Sequence, residues 1–437
     1  MKRICAILLI FAFLFAGCGG STASDLFAVP EMSGMHKALL DTVESVREEG
    51  FDFAEPRSGF NRYPLQIMDI DGDGEEEGVA FLRDVVDSYK TFIYVFENSD
   101  SVFSLFDVIE GSEKEIYTVS YSSFLHSSGY EIIVEWGTSA DSVHPITVYN
   151  LTEDGIRKVL DISANQYSVS DIDGNGSNEL VAVSKRDGAF FADVYEHGDG
   201  RMEKCGSVPL AGVGGKLIRV ISGKATQNKN GVFIERETER GIVTDIVSVS
   251  DGGYTNLLPE GDLCFVRATA YDVNNDGIIE IPKVSEEVRD VTDTDRTYIW
   301  NAVSEDGALI SRVFTYHSFS DNWYVSLPLS WGGTVSTEKR ATRSAEKEIR
   351  FITREGMDLD AQDYVTAHLF SVYVLTGSRR KALAAEEGRF IISEREDVVF
   401  AAEIISRSYL STEITEEFIK AAFKNRESEW TSEILFA

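Results

Sequence analysis

Three short acidic segments recur along this chain at nearly equal intervals. They read DIDGDGEEE, DIDGNGSNE and DVNNDGIIE, and they begin at Asp69, Asp171 and Asp272. The first two starting points are 102 residues apart and the next two are 101 apart. Even spacing of similar segments indicates an internal repeat, which constrains the fold more strongly than any single segment. An apolar run follows each segment, so we expect the repeated unit to place a loop before a buried strand.

The residue types in these loops suit a hard cation. Oxygen-bearing side chains stand at positions 1, 3, 5 and 9, and a glycine stands at position 6, where the chain must turn sharply. This spacing is typical of Ca²⁺ ligands. A single acidic loop can also be an ordinary solvated turn, since Asp and Gly are common turn residues, but the repetition favours a metal. The candidate side-chain ligands are Asp69, Asp71, Asp73, Glu77, Asp171, Asp173, Asn175, Glu179, Asp272, Asn274, Asp276 and Glu280.

The loops do not fit an EF-hand, the most familiar calcium loop. An EF-hand needs a bidentate glutamate at position 12 and a helix on each side. Position 12 is Ala80, Ala182 or Lys283 in this chain, and the flanking segments have the composition of strands. We therefore expect each cation to hold a turn between strands, as a structural site.

Weaker copies of the repeat indicate a basic period of about 50 residues, which is enough for the four strands of a propeller blade. Glu131 precedes an apolar run roughly midway between the first two loops, and the segment around Gly231 lies roughly midway between the second and third. Short β-branched and aromatic segments separated by turn residues predict strands throughout this region. The sequence thus predicts an all-β fold, a β-propeller of six or seven four-stranded blades with calcium loops, over residues 51–340.

The loop pattern, Asp-x-Asp-x-Asp-Gly-x-x-Glu before an apolar strand, resembles the calcium loop of the integrin-type FG-GAP and VCBS repeats. The likeness covers roughly residues 55–335. It implies a β-propeller in a secreted or cell-surface protein. It also implies a backbone carbonyl ligand at position 7, which falls on Glu75, Ser177 and Ile278. The chain departs from the family in its Glu at position 9, where Asp is frequent, and in Asn175 and Asn274, which still offer an oxygen.

The N-terminus predicts export and a lipid anchor. Lys2 and Arg3 precede an apolar run, Ile4 to Gly17, that is shorter than the roughly 20 residues of a spanning helix and typical of a signal peptide. The run ends in LFAGC, which resembles the bacterial lipobox and implies lipidation of Cys18; plain secretion is the alternative. We assign residues 1–17 to a signal peptide, 18–30 to a flexible tether and 31–50 to a helix.

The character of the sequence changes after about residue 340. Four segments are typical of strands, and a helix is predicted between the second and the third of them, after residue 377. A closing helix is predicted after Thr415, which can cap it. The simplest interpretation is a small C-terminal α+β domain over 341–437. The alternative is that some of these strands form a last propeller blade.

Net charge and the absence of catalytic motifs exclude several classes of function. The formal charge of −32 makes nucleic-acid binding improbable. The six histidines show no ligand spacing, and no nucleophile or phosphate-loop motif is present, so we name no catalytic residue. Cys205 and Cys264 can form a disulfide or be two buried thiols.

We predict a surface lipoprotein that acts as a binding or scaffolding module for an extracellular protein, peptide or glycan. The alternatives are an envelope hydrolase with its site at the channel and a purely structural or sensory protein.

Overall fold

The protein is described from a computed structural model. The structure describes residues 34–86, 90–124, 129–137, 143–250, 252–258, 264, 266, 268–285, 295–343, 345–353 and 367–425. The signal peptide, the tether and Cys18 lie outside these residues. Within them the protein is nearly all-β, and three short α-helices stand near the two ends. None of the described helices has the length and apolar character that crossing a membrane requires.

Four antiparallel sheets follow one another along the first two thirds of the chain. Sheet 1 contains β1 (Phe51–Phe53), β2 (Leu65–Met68), β3 (Glu77–Asp84), β4 (Thr91–Ser99) and β5 (Val102–Glu110). Sheet 2 contains β6 (Ile116–Ser122), β7 (Glu131–Trp136), β8 (His144–Thr152) and β9 (Gly155–Ala164). Sheet 3 contains β10 (Gln166–Ser170), β11 (Glu179–Arg186), β12 (Ala189–Gly198) and β13 (Arg201–Pro209). Sheet 4 contains β14 (Lys216–Lys224), β15 (Asn230–Thr238), β16 (Gly241–Ser250) and β17 (Gly253–Asn256).

Two further sheets complete the array. Sheet 5 contains β18 (Ile281–Val284), β19 (Arg296–Val303), β20 (Leu309–Ser318) and β21 (Trp323–Leu327), followed by a 3₁₀ turn at Leu329–Trp331. Sheet 6 contains β22 (Val335–Arg343), β23 (Glu346–Thr353), β24 (His368–Thr376), β25 (Arg389–Glu394) and β26 (Val398–Ile404). A small hairpin of β27 (Ser408–Tyr409) and β28 (Thr412–Glu413) follows, and β29 (Phe423–Asn425) returns to pair with β21. Multiple four-stranded antiparallel sheets in sequence order are consistent with a propeller.

Neighbouring sheets pack face to face. Residues of β3 alternate between two cores: Val79 and Phe81 face sheet 2, whereas Ala80 and Leu82 face the opposite side. Both faces of β3 are buried, which explains why Val79 to Leu82 form a continuous apolar run. Equivalent buried clusters join sheets 2 and 3, 3 and 4, 4 and 5, and 5 and 6. Among the described residues, no buried cluster joins sheet 6 to sheet 1.

A helix covers the outer face of each terminal sheet. Helix α1 (Gly34–Arg47), which the sequence predicts within 31–50, buries Leu39 and Val43 against sheet 1. Helix α2 (Arg380–Ala384) buries Leu383 against sheet 6. The helices thus remove from water the two apolar faces that stacking leaves at the ends of the array.

The C-terminal segment does not stand apart from the preceding sheet. Phe351 and Phe400 of sheet 6 share one buried cluster with Trp323 of sheet 5, and the rings of Trp323 and Phe400 lie 6.0 Å apart. A separate α+β domain over 341–437 is therefore not confirmed, and the sheet agrees with the alternative of a further blade. The closing helix α3 (Glu416–Ala422) is capped by Thr415, whose Oγ1 accepts from the Phe418 N–H at 3.1 Å. Cys205 is an exposed thiol that forms no disulfide with Cys264.

Candidate metal sites

The three acidic loops occupy equivalent places in alternate sheets. The first joins β2 to β3 and the second joins β10 to β11, so that Glu77 begins β3 of sheet 1 and Glu179 begins β11 of sheet 3. The third precedes β18 in sheet 5. There Tyr271 and Glu280 exchange two backbone hydrogen bonds, of 2.9 and 3.0 Å, that close the loop in the same way.

One backbone conformation is shared by the three loops. The N–H at position 6, from Gly74, Gly176 or Gly277, donates to Oδ2 of Asp69, Asp171 or Asp272 at 3.2, 3.0 and 2.8 Å. The N–H at position 7 likewise donates to Oδ1 at position 5 at 2.8, 2.7 and 2.9 Å. The glycines have φ of 95°, 92° and 87°, which side chains with a Cβ rarely adopt. The loop therefore folds through its own Asp and Gly residues.

The loops bring acidic side chains together in three clusters that could hold a metal ion. In each cluster the contributing carboxylate oxygens all lie within 4.8 Å of one another. The clusters are Asp69, Asp71 and Glu77; Asp171, Asp173 and Glu179; and Asp272, Asp276 and Glu280. The aspartates are exposed or half-buried and the glutamates are buried. Each cluster is thus open to solvent on one side and closed by a glutamate on the other.

The glutamate at position 9 is the least accessible member of each cluster. Glu77 is 3% exposed, and Glu179 and Glu280 are 0% exposed. Each accepts a backbone N–H from position 2, at 2.7, 2.7 and 3.0 Å. Removal from water is the main cause that raises the pKa of all three glutamates, to about 7; the neighbouring aspartates contribute to the rise, and the hydrogen bond from that N–H opposes it. Burial likewise raises the pKa of Asp71.

The residues present fit a hard divalent cation. Glu179 Oε1 is buried and accepts no hydrogen bond from any described residue. A buried acceptor without a partner is costly, and an ionised one more so. A cation among these oxygens would supply the missing interaction and favour the charged form of the glutamate. The donor set consists of oxygen atoms, which is the preference of Ca²⁺ and Mg²⁺.

Three of the predicted side-chain ligands, Asp73, Asn175 and Asn274, are not among the residues that form the three clusters. Asp73 Oδ1 and Asn175 Oδ1 each accept a backbone N–H at position 7. The Asn274 amide donates to Asp276 and Glu280, at 3.0 Å in both cases. Ligation through these side chains, and through the carbonyls of Glu75, Ser177 and Ile278, stays a prediction.

The loops also bond to neighbouring sheets, which the sequence did not indicate. The Tyr130 N–H in sheet 2 donates to the Ile70 carbonyl of the first loop at 2.7 Å. The Asn230 side chain in sheet 4 donates to the Asp171 carbonyl of the second loop at 2.6 Å. The Ile279 N–H of the third loop donates to the Lys224 carbonyl of sheet 4 at 2.9 Å. A cation that fixes a loop would therefore also fix the contact between adjacent sheets.

An eroded copy of the loop survives in sheet 2. Glu131 begins β7 as Glu77 begins β3, and its Oε2 accepts the Phe124 N–H at 2.9 Å across the same separation of seven residues. The other oxygen accepts from Asn150 at 3.0 Å. The sequence does show this position as a glutamate before an apolar run, although it does not show that the Asn150 amide is its partner.

No protein-family model matches the chain, and no curated protein matches it in sequence. It is similar at a low level to propeller-like solved structures. A protein from Lactobacillus plantarum is 12% identical, with a TM-score of 0.31 over 71% of this chain and 85% of that one. The exotype rhamnogalacturonan lyase YesX is 11% identical, with a TM-score of 0.32 over 71% and 73%. The AfRom2 CNH domain is 13% identical, with a TM-score of 0.27 over 81% and 97%. At these scores the likenesses carry no argument about function.

Proposed function

We propose that this chain is a lipid-anchored surface protein whose calcium-stabilised, propeller-like array of sheets serves as a binding or scaffolding module. The observation that carries the proposal is the set of three acidic clusters, each closed by a buried glutamate with a pKa near 7. Such clusters suit a bound cation better than they suit a solvated turn. The resemblance of the loops to FG-GAP and VCBS repeats supports Ca²⁺ as the cation.

Calcium has a structural role in this proposal. Each loop contacts an adjacent sheet through the Ile70, Asp171 or Lys224 carbonyl. Metal binding would therefore stabilise the contacts between sheets 1 and 2, 3 and 4, and 4 and 5. Extracellular modules of this kind bind Ca²⁺ with dissociation constants of about 10⁻⁴ to 10⁻³ M, so the sites would be filled outside the cell. The first loop offers the most ionisable carboxylates and would bind most tightly.

The proposed location rests on the N-terminal sequence. A signal peptide over 1–17 followed by a lipidated Cys18 would place the sheets outside the cytoplasm and attach them to the membrane of the cell envelope. The replacement Cys18→Ser would then move the protein from the membrane fraction to the soluble fraction. Retention of Cys18→Ser in the membrane fraction would contradict the anchor without affecting the metal sites.

Calorimetric titration of Ca²⁺ into the chelator-stripped full chain carrying Cys18→Ser tests the metal sites. We expect about three sites, in line with the three clusters, and a rise in melting temperature on loading. Asp171→Asn together with Asp173→Asn would remove one site. Asp154→Asn is the matched control, because Asp154 is an exposed aspartate of a hairpin turn. The absence of calcium binding would overturn the proposal.

A further inference from the structure

Four consecutive sheets each contribute one strand, β2, β6, β10 or β14, to the lining of a single cavity of about 610 Å³. Its walls are Met68 of β2, residues 118–122 of β6, residues 166–169 of β10 and residues 220–222 of β14. Cavities of about 300 to 1,000 Å³ are of the size that holds small ligands. The lining contains none of the carboxylates of the acidic loops, so the cavity is a site separate from the three metal clusters.

Uncharged polar groups dominate the polar part of the lining. Hydroxyl groups come from a threonine and four serines, and side-chain amides come from Asn61, Gln166 and Asn178. Hydroxyls and amides both donate and accept hydrogen bonds. Glu135 is the one carboxylate among the described lining residues, and both of its oxygens are engaged, by His144 at 2.7 Å and by Thr118 at 2.8 Å. The described residues of the lining therefore offer neither a free acid nor a cation, although the protein has a formal charge of −32.

Aromatic rings accompany these polar groups. The lining includes Phe60, Tyr121, Tyr130 and Tyr167. Phe60 is 69% exposed and Tyr130 is 41% exposed, so both offer an accessible ring beside the cavity. An exposed aromatic face next to several hydroxyls is costly to hydrate and well suited to a ligand with an apolar face and a polar edge.

Hydrogen bonds between these neighbouring strands hold the lining in place. Tyr121 of β6 donates to Gln66 of β2 at 2.5 Å. The hydroxyls of Ser120 and Tyr167 lie 2.9 Å apart and link β6 to β10. Ser222 of β14 donates to a carbonyl of β10 at 3.3 Å. Groups that are fixed before binding lose little entropy when a ligand arrives, which favours a preformed site.

We propose that this cavity binds a neutral saccharide. Sugar rings combine hydroxyls that donate and accept with an apolar face, which matches the hydroxyls, amides and aromatic rings of the lining. A phosphate or a carboxylate ligand would find no cation among the described lining residues. A lipid chain would remove the lining hydroxyls and amides from water and offer them no further hydrogen bonds. This inference rests on the binding role proposed above, and it adds to that role a class of ligand and a binding site.

The first two acidic loops hold part of the cavity wall. Asn178 lies in the second loop, next to Glu179, and its amide donates to Ser122 Oγ and to the Ser123 carbonyl, both at 3.0 Å. Tyr130 is bonded through its backbone N–H to Ile70 of the first loop. No described residue of the third loop lines the cavity. Loading of the first two loops should therefore strengthen saccharide binding, whereas loading of the third should not.

Binding of the calcium-loaded full chain carrying Cys18→Ser to neutral oligosaccharides of glucose, galactose, mannose or N-acetylglucosamine tests the cavity, with a peptide array as the comparison. We expect at least one saccharide series to bind and Tyr130→Ala to weaken that binding at least about fivefold through loss of a ring contact. Tyr63→Ala is the matched control, because Tyr63 is 77% exposed and outside the lining. Ser168→Tyr, which fills the cavity, should abolish binding, and Ser104→Tyr on exposed β5 should not. Binding to peptides alone, no saccharide binding, or equal losses in Tyr130→Ala and Tyr63→Ala would overturn the proposal.

The same samples separate this inference from the metal sites. With calcium binding measured in parallel, Asp171→Asn with Asp173→Asn should weaken saccharide binding more than Asp272→Asn with Asp276→Asn does. If saccharide binds equally well in chelator to a chain that takes up no calcium, the cavity stands and the metal proposal fails. If calcium binds and no saccharide does, the cavity proposal fails and the metal proposal stands.

Discussion

The side chain of Asn150 donates a hydrogen bond of 3.0 Å to Oε1 of Glu131, a buried glutamate that is 2% exposed. Glu131 holds in sheet 2 the place that Glu77 and Glu179 hold in the acidic loops. The Asn150 amide thus provides a partner for the buried oxygen of Glu131. We propose that a cation provides the equivalent partner for the glutamates of the acidic loops.

Removal of this amide should destabilise the protein whether or not calcium is present. Asn150→Ala leaves a buried carboxylate oxygen without its donor, which costs about 1–3 kcal/mol of unfolding free energy. Chemical denaturation in chelator and in calcium should show the same loss. Asp154→Ala, at an exposed position of the same hairpin, should change stability by less than about 0.5 kcal/mol. A loss seen solely in calcium would mean that Glu131 also serves a metal site.

The metal-free protein should become less stable as pH rises through the neutral range. In the unfolded chain the three loop glutamates ionise near 4.5, whereas in the folded chain their pKa is about 7. Between these values the folded state holds more protons than the unfolded state, so the unfolding free energy falls as pH rises. Melting temperatures in chelator should therefore decline from pH 5 to pH 8, and saturating calcium should remove the decline. A melting temperature in chelator that rises over this range would contradict the assignment.

Replacement of one buried glutamate should separate metal binding from folding. Glu179→Gln keeps the shape and the acceptor for the Ile172 N–H while it removes the charge. We expect the calcium stoichiometry to fall by one site and the melting temperature in chelator at pH 8 to stay equal or rise. Glu153→Gln, an exposed substitution, is the control. A large loss of stability in chelator would show that the ionised side chain stabilises the metal-free fold.

The glycine at position 6 should contribute to stability because of its backbone conformation, and not because a side chain there would clash with its neighbours. Gly277 has φ of +87°, and a Cβ added there would meet no atom within 4 Å. Gly277→Ala should therefore cost about 1–2 kcal/mol from the left-handed conformation alone. Gly34→Ala also meets no atom, but it lies in helix α1 without that conformation and should be neutral or stabilising. Equal effects of the two substitutions in denaturation experiments would refute this explanation.

Sheets 5 and 6 should unfold together. Phe400 is 0% exposed and packs on Trp323 across the two sheets. Phe400→Ala should cost about 3–5 kcal/mol and shift one cooperative transition. Far-ultraviolet circular dichroism and tryptophan fluorescence would show coincident curves. Two separate transitions would support an independent C-terminal domain.

Local signals in the sequence account for the strands and loops. Asp and Gly at fixed positions define the acidic loops because the loops close through their own side chains, as the Gly176 N–H does on Asp171. Runs such as Val79 to Leu82 predict a buried strand because both of their faces are covered. The helix within 31–50 follows from the spacing of Leu39 and Val43.

Contacts between distant segments could not be predicted in this way. The pairing of β29 with β21 joins residues about a hundred positions apart, and no feature of either segment identifies the other as its partner. The shared core of Trp323 and Phe400 is equally invisible in a linear pattern, which is why the C-terminal strands read as a separate domain. The cavity was also missed, because its serines and tyrosines become neighbours through the stacking of four sheets.

The helices at the ends of the array bear on how molecules of this protein behave toward one another. Helix α1 covers Leu82 and Phe96 on the outer face of sheet 1, and helix α2 covers Leu375 on the outer face of sheet 6. Without these covers, the terminal sheet of one copy would offer another copy the same kind of apolar face that binds sheet to sheet within the chain. We therefore expect the two helices to prevent end-to-end association between copies of the protein, which would matter most if the proposed lipid anchor gathers many copies on one membrane surface.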